Sequence, residues 1–345
     1  MECFASDTTF FLDESTTRND LRWVYWLLQT LRLDEGSGET AIPGLSRETA
    51  YENEVPVPPL VEQRAIAGYL DRETGRLDAL MAAKERWLEL LAEKRRALIT
   101  RAVTRGLNPT APLRDSGFPW LGQVPKHWEL KRLRWLSKTI EQGWSPQADS
   151  ATTDNDSWAV IKLSAIKSGG FYDQEHKGLP TAYEIPTDLE IKRGDFLLTR
   201  ANTPSLVGDV CVVKKTRPKL IFSDLVFRLR LRETLISAEF LAHFLLTAGR
   251  VLIEADARGS SQSMVKISQE HIPNWFIPLP PLAEQRAIVA HIATATAKLD
   301  GLRAAAEQTI ALLKERRAAL IAAAVTGKLE LGRSGLKPKG DLITV

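Results

Sequence analysis

Arginine, asparagine and glutamine carry paired donors and acceptors that match the edges of guanine and adenine. Two short stretches combine them with small residues that let a backbone come close: Thr199-Arg200-Ala201-Asn202-Thr203-Pro204-Ser205, and Arg258-Gly259-Ser260-Ser261-Gln262-Ser263. The candidate contact residues from these stretches are Arg200, Asn202, Thr203, Arg258, Ser260, Ser261 and Gln262, with Lys266 just beyond. Trp144 and Ser145 join them from the loop Gly143-Trp144-Ser145-Pro146. A further source is the alternating run Phe227-Arg228-Leu229-Arg230-Leu231-Arg232. Period two puts its apolar side chains on one face of a half-buried strand and its arginines on the other, so Arg228 and Arg230 are expected to point outward as a phosphate track.

Other chemistries find little support. The two cysteines, Cys3 and Cys211, cannot build a disulfide framework or a cysteine zinc site. The five histidines, His127, His176, His243, His271 and His291, show no metal-ligand spacing. There is no G-x-x-x-x-G-K-[ST] phosphate loop, no glycine fingerprint of a dinucleotide site and no Asn- or Asp-Pro-Pro-aromatic methylase motif. No metal or cofactor is therefore expected on this chain. A net charge of +3 does not announce a polyanion binder, so such a role has to come from local clusters: Lys94-Arg95-Arg96, Lys131-Arg132 with Arg134, and Lys214-Lys215 with Arg217 and Lys219. With 345 residues, 44% hydrophobic and 26% charged, the chain is of ordinary globular composition with room for two or three domains. No apolar run reaches the ~18 to 20 residues of a membrane span, and the opening Met-Glu-Cys-Phe-Ala-Ser-Asp lacks the order of a secretory signal. A cytoplasmic location without membrane association is expected.

The elements that position these residues are organised by a repeat. Pro58-Pro59-Leu60-Val61-Glu62-Gln63-Arg64-Ala65-Ile66 recurs as Pro280-Pro281-Leu282-Ala283-Glu284-Gln285-Arg286-Ala287-Ile288, a shift of 222 positions from Glu62 to Glu284. The shift holds without a gap to Ala102-Val103-Thr104 and Ala324-Val325-Thr326. Each copy opens on a proline pair, places a glutamate in the first helical turn where the helix dipole favours an anion, and continues in helix formers. Gly106 and Pro109 supply stop signals after the first copy, and Thr326-Gly327 after the second. About 44 residues at about 1.5 Å each make a rod of about 65 Å. Apolar residues recur at two positions of a seven-residue repeat: Leu70, Leu77, Leu88, Leu91 and Leu98 in one copy, Ile292, Leu299, Ile310, Leu313 and Leu320 in the other. These form a pairing seam in which Arg95 and Arg317 hold equivalent polar positions.

Between the rods, residues 118–275 read as an α+β domain. A helix is expected over Leu130 to Ile140, short strands at Ala159 to Leu163, Phe196 to Thr199, Val210 to Val213 and Leu225 to Leu231, a helix over Ala238 to Glu254, and a final strand at Trp275-Phe276-Ile277.

Two P-P-L-x-E-Q-R-x-I segments, each opening a long helix after a domain, together with the W-x-x-x-x-L pattern of Trp128 to Leu133, resemble the specificity subunits of type I restriction-modification enzymes. The resemblance implies α/β target-recognition domains joined by two long antiparallel coiled-coil helices that act as a ruler on double-stranded DNA. It implies a non-catalytic subunit that directs adenine methylation and ATP-dependent restriction by two methyltransferase subunits and by translocase-nuclease subunits. S-adenosylmethionine, ATP and magnesium would then belong to those partners. The expected division is residues 1–54 as the C-terminal part of a first recognition domain, 55–108 and 276–330 as the helices, 118–275 as the second recognition domain and 331–345 as a tail. Carried backward, the repeat sets Leu45 to Glu48 on Ile267 to Glu270, Ser6-Asp7 near Ser223-Asp224, and a helix at Leu21 to Leu33 on that at Ala238 to Glu254. Counterparts of about residues 118–217 are missing from the first domain. A mis-assigned start or gene fragment, a split subunit, and a half-specificity protein all fit that pattern; the first is preferred, with only the second domain expected to read DNA. A protein-only coiled-coil scaffold or degenerate fragment is the alternative, and it predicts no salt-sensitive DNA binding.

Overall fold

The computed structural model describes residues 11–31, 33, 50–146, 156–180, 183–261, 264–332 and 335–338, with backbone alone for 258–261, 330–332 and 335–338. The expected matches at Ser6-Asp7 and Leu45 to Glu48 lie outside the described residues, as does Gln262. Five helices are used below: α1 (Leu21–Leu28), α2 (Leu60–Arg105), α3 (Ala238–Leu245), α4 (Arg250–Asp256) and α5 (Leu282–Val325). The chain divides into two compact units, residues 1–91 with 300–345, and residues 92–299, so that each long helix contributes to both.

In the first unit, α1 starts at Asp20, whose carboxylate accepts from the amides of Arg22 and Trp23, an N-cap that satisfies two of the helix's orphan donors. Trp23, Trp26 and Leu27 then bury against Ile66, Ala67 and Leu70 of α2 and Ile321, Ala324 and Val325 of α5. The start of α2 thus lies against the end of α5, an antiparallel pairing. Arg317 Nε donates to Asp78 at 2.9 Å, and its guanidinium lies 5.7 Å from the Trp26 ring centre. Along the seam of this unit Leu70, Leu91, Ile310 and Leu313 are buried, and Leu77, Leu88 and Leu320 half-buried. The expected tail is in part a backbone hairpin, Leu329–Gly332 pairing with Gly335–Pro338.

In the second unit, Val226–Leu231 lies inside a four-stranded antiparallel sheet, flanked by Phe196–Thr199 on one side and Ser137–Gln142 on the other. One face packs on α3, on the end of α2 (Ile99, Ala102, Val103) and on the start of α5 (Ile288, Ile292). That too is antiparallel, with Ile292 and Leu299 buried and Leu98 half-buried. The other face, to which Leu197 and Cys211 of the sheet contribute, is covered by Ile161 and Phe222 of a second layer in which Leu220–Ile221 runs parallel to Ala159–Ile161.

Two expectations are corrected. Leu130 to Ile140 is not a helix: Glu129–Arg132 pairs with Phe276–Leu279, a single 3-10 turn spans Leu133–Trp135, and Ser137–Gln142 joins the main sheet. The three-residue spacing of Leu130, Leu133 and Trp135–Leu136 imitated a helical stripe, but strand partners supplied by distant segments win over local period. The span Ala238 to Glu254 is two helices, because the chain turns at Gly249, where a Cβ would come within 2.9 Å of Leu245 Cα. The helix expected to reach Leu33 ends at Leu28.

The glutamine of each repeat has the same task in both units. Gln63 Oε1 accepts from the Asp20 amide at 2.8 Å, and its Nε2 donates to Pro58 O at 2.8 Å and Asn19 Oδ1 at 2.9 Å. Gln285 Oε1 accepts from the Ser237 amide at 2.8 Å, and its Nε2 donates to Pro280 O and Leu235 O, both at 2.9 Å. Asp20 and Ser237 are the N-caps of α1 and α3. A buried amide therefore ties each long helix to the N-cap of its unit's short helix.

Candidate nucleic-acid interface

The two stretches rich in Arg, Asn and Ser are joined by a small sheet. Ala201–Asn202 pairs with Met264–Lys266, placing Ala201 opposite Lys266, and Met264–Lys266 pairs in turn with Arg258–Ser261. The backbone at Arg200 is held from both sides: its N–H donates to Leu225 O, and its C=O accepts from the Ile267 N–H, each at 2.8 Å. Its guanidinium lies 5.8 Å from the ring centre of Phe227, a residue that is fully buried. Arg200 Nε is buried without a hydrogen-bond partner among the described residues.

Arg200 and Lys266 line an open groove of about 740 Å³ together with Arg134, Lys138, Gln142 and Gln269. Four cations meet one carboxylate there, that of Glu270. Arg134 is bonded to Asn274 Oδ1. Gln142 Nε2 donates to Asp224 O and Gln269 Nε2 to Ile140 O, which fixes both side chains and leaves each amide oxygen as an acceptor. Sequence reasoning placed Arg134 in a basic cluster without naming it a contact residue, and missed Lys138, Gln142 and Gln269. The strand period of Lys138, Ile140 and Gln142 was the available signal, hidden by reading that stretch as helix.

Other candidates fall elsewhere. Asn202 Oδ1 accepts from the Thr203 amide at 2.8 Å, and Arg250 Nη1 donates to Val207 O at 2.7 Å, bracing the turn that follows. Trp144 and Ser145 do not line the groove. The Trp144 amide donates to Phe222 O at 3.0 Å and its ring meets Tyr183 edge-on, while Ser145 Oγ accepts from the Asp224 amide at 3.2 Å. Gly143 is required just before them, since a Cβ would sit 2.2 Å from Phe222 O. The side chains of Arg258, Ser260 and Ser261 lie outside the described residues.

Arg228 overturns its expected outward placement. Its side chain is 1% exposed, paired with Glu141 at 2.5 Å and Asp195 at 3.3 Å, and it donates to Asp188 O and Glu190 O. Arg230, 39% exposed, pairs with the same two carboxylates at 3.1 and 2.8 Å. The cause is the second layer: a strand covered on both faces must neutralise any charge on either. Burial opposes ionisation of Glu141, but hydrogen bonds and charge from Arg228 and Arg230 outweigh it and hold the carboxyl below its ordinary value. Burial raises Asp209 against the Ser168 amide and Arg250, lowers His243, and pushes the Cys211 thiol up to about 12, so that Cys211 is no nucleophile near neutral pH. Among the described residues no group of His, Cys, Asp and Glu is placed to hold a metal ion.

Fold and groove together define a mixed α/β domain mounted on paired long helices, with a cationic groove at the edge of its main sheet. The family described as type I restriction modification DNA specificity domain matches residues 125–310, and the chain belongs to that family. The specificity subunit of the type I restriction enzyme EcoEI of Escherichia coli is 32% identical over 209 residues, covering 59% of this chain and 34% of that protein. Those of EcoKI from Escherichia coli and MjaVIII from Methanocaldococcus jannaschii are each 23% identical, over 279 and 285 residues, 57% and 62% of their lengths. The chain thus spans a third to less than two thirds of these curated relatives. A solved structure from work on complex assembly and conformational transition of the type I R-M system shares the fold, with a TM-score of 0.66 over 90% of this chain and 72% of that one at 18% identity.

Proposed function

We propose that the groove of the 92–299 unit holds double-stranded DNA and reads its sequence, and that the chain acts as a non-catalytic specificity subunit. One observation carries the reading: Arg200 and Lys266, from segments far apart in sequence, meet Arg134 and Lys138 around a single open groove. Lysines supply point charges for phosphates, while a guanidinium held beside a rigid ring presents a fork suited to guanine O6 and N7. Lys138 and Lys266 are accordingly assigned to phosphates and Arg200 to a base. Adenine methylation and ATP-dependent restriction are the work of two methyltransferase subunits and of translocase-nuclease subunits, which hold S-adenosylmethionine, ATP and magnesium. This assembly works on DNA in the cytoplasm; no helix among the described residues is long and apolar enough to cross a membrane.

The test is the affinity of the purified chain for a random-sequence duplex across a salt series. Log affinity is expected to fall linearly with log salt, and Lys138→Ala or Lys266→Ala to flatten the slope by about 0.9 each. A slope that both variants leave untouched would sink the assignment, and salt-insensitive or absent binding would leave a protein-only scaffold.

A further inference from the structure

The end of α2 carries a basic groove for which its duplicate in α5 has no residues. Ala97-Leu98-Ile99 and Ala102-Val103-Thr104 recur unchanged as Ala319-Leu320-Ile321 and Ala324-Val325-Thr326, whereas Arg96, Arg101 and Arg105 meet Ala318, Ala323 and Gly327. The apolar residues retained are packed ones: Ile99, Ala102 and Val103 are buried, as are Ile321, Ala324 and Val325. The three arginines are exposed, and none forms an ion pair among the described residues. At about 100° per residue, Ala97, Thr100 and Thr104 form a floor of small side chains, with Arg96 on one bank and Arg101 and Arg105 on the other. The opposite wall is Pro109, Ala111 and Leu113, and the whole is an open groove of about 720 Å³ with one carboxylate, Glu93.

Helix stability does not account for this pattern. Arg105 sits in the last turn, where a cation favours the helix dipole, but Arg96 lies about two and a half turns earlier, beyond that effect. The apolar wall also separates the possible ligands, since a phosphodiester strand gains nothing from Pro109 and Leu113. A peptide with an apolar anchor between carboxylates gains from both banks and the wall, and arginine rather than lysine is the cation that protein interfaces favour.

We propose that this groove docks an acidic, apolar-anchored segment of a partner protein, once per chain, at the α2 end alone. A partner meeting the equivalent face of α5 finds Ala318, Ala323 and Gly327 in place of the three arginines. The site is separate from the groove assigned to DNA and stands without it.

The experiment displays 12-residue peptides randomised over Asp, Glu, Leu and Phe against the full chain, then measures enriched peptides by fluorescence anisotropy at about 0.15 M salt. Enriched peptides should mix carboxylates with Leu or Phe, and lose about tenfold or more in affinity for the Arg96→Ala/Arg101→Ala/Arg105→Ala variant. That variant keeps its fold, because the three arginines are exposed and alanine is what α5 already carries at two of the three equivalent positions. Its affinity for a random-sequence duplex should be unchanged. The proposal is overturned if no peptide enriches, if enriched peptides bind wild type and variant alike, or if the duplex loses affinity while the peptides do not, which would make the groove a phosphate surface.

Discussion

Arg228 and Arg200 show one residue type put to opposite uses. Arg228 is enclosed by Glu141, Asp195, two main-chain carbonyls and the Phe222 ring at 4.7 Å, a set that repays its desolvation only while complete. Arg228→Ala leaves two carboxylates without their main cation and is expected to cost about 3 to 5 kcal/mol in urea unfolding, whereas Arg200→Ala, losing one ring contact, costs about 1 kcal/mol or less. Equal losses for the two variants would show that Arg200 is structural too. The alternation of Phe227 to Arg232 was legible in the sequence, and so was the strand it makes. What covers its second face was not, because Asp195 and Phe222 arrive from segments flanking other strands and local period carries no record of them.

At the scale of elements, the long helices were the clearest part of the sequence, since a repeated capping and seam pattern leaves few other folds open. The task of the repeated glutamine was invisible, because its partners are mostly main-chain groups, for Gln285 those of Pro280 nearby and of Leu235 and Ser237 about fifty residues upstream, and a backbone amide has no sequence signature. Gln285→Ala would strand the Ser237 amide and the Leu235 and Pro280 carbonyls in a buried site. Its expected cost is about 1 to 3 kcal/mol. Hydrogen exchange should show faster opening at the Ser237 amide than in wild type. Unchanged exchange there would mean that α3 starts without help from α5. The strand from Ser137 to Gln142 is the counter-example, where a helix-like spacing concealed Lys138 and Gln142 from the candidate site.

For the molecule as a whole, a net charge of +3 conceals a division of labour among its cations. Arg228 and Arg230 are consumed inside the 92–299 unit, while Lys138, Arg200 and Lys266 are left at its surface around one groove. Counting charges over the chain averages these roles away. The composition therefore does not register this gathering of cations at one groove, whereas the local residue types do. The proposal for this groove is that it reads sequence rather than merely attracting phosphate. Its most direct test is selection of bound duplexes from a randomised library by the purified chain, by Lys138→Ala and by Arg200→Ala. Wild type is expected to return a consensus containing a guanine, Lys138→Ala the same consensus at lower yield, and Arg200→Ala a consensus that has lost the preference at that guanine alone. A wild type that returns no consensus, or an Arg200→Ala chain that returns the wild-type consensus intact, would contradict the proposal.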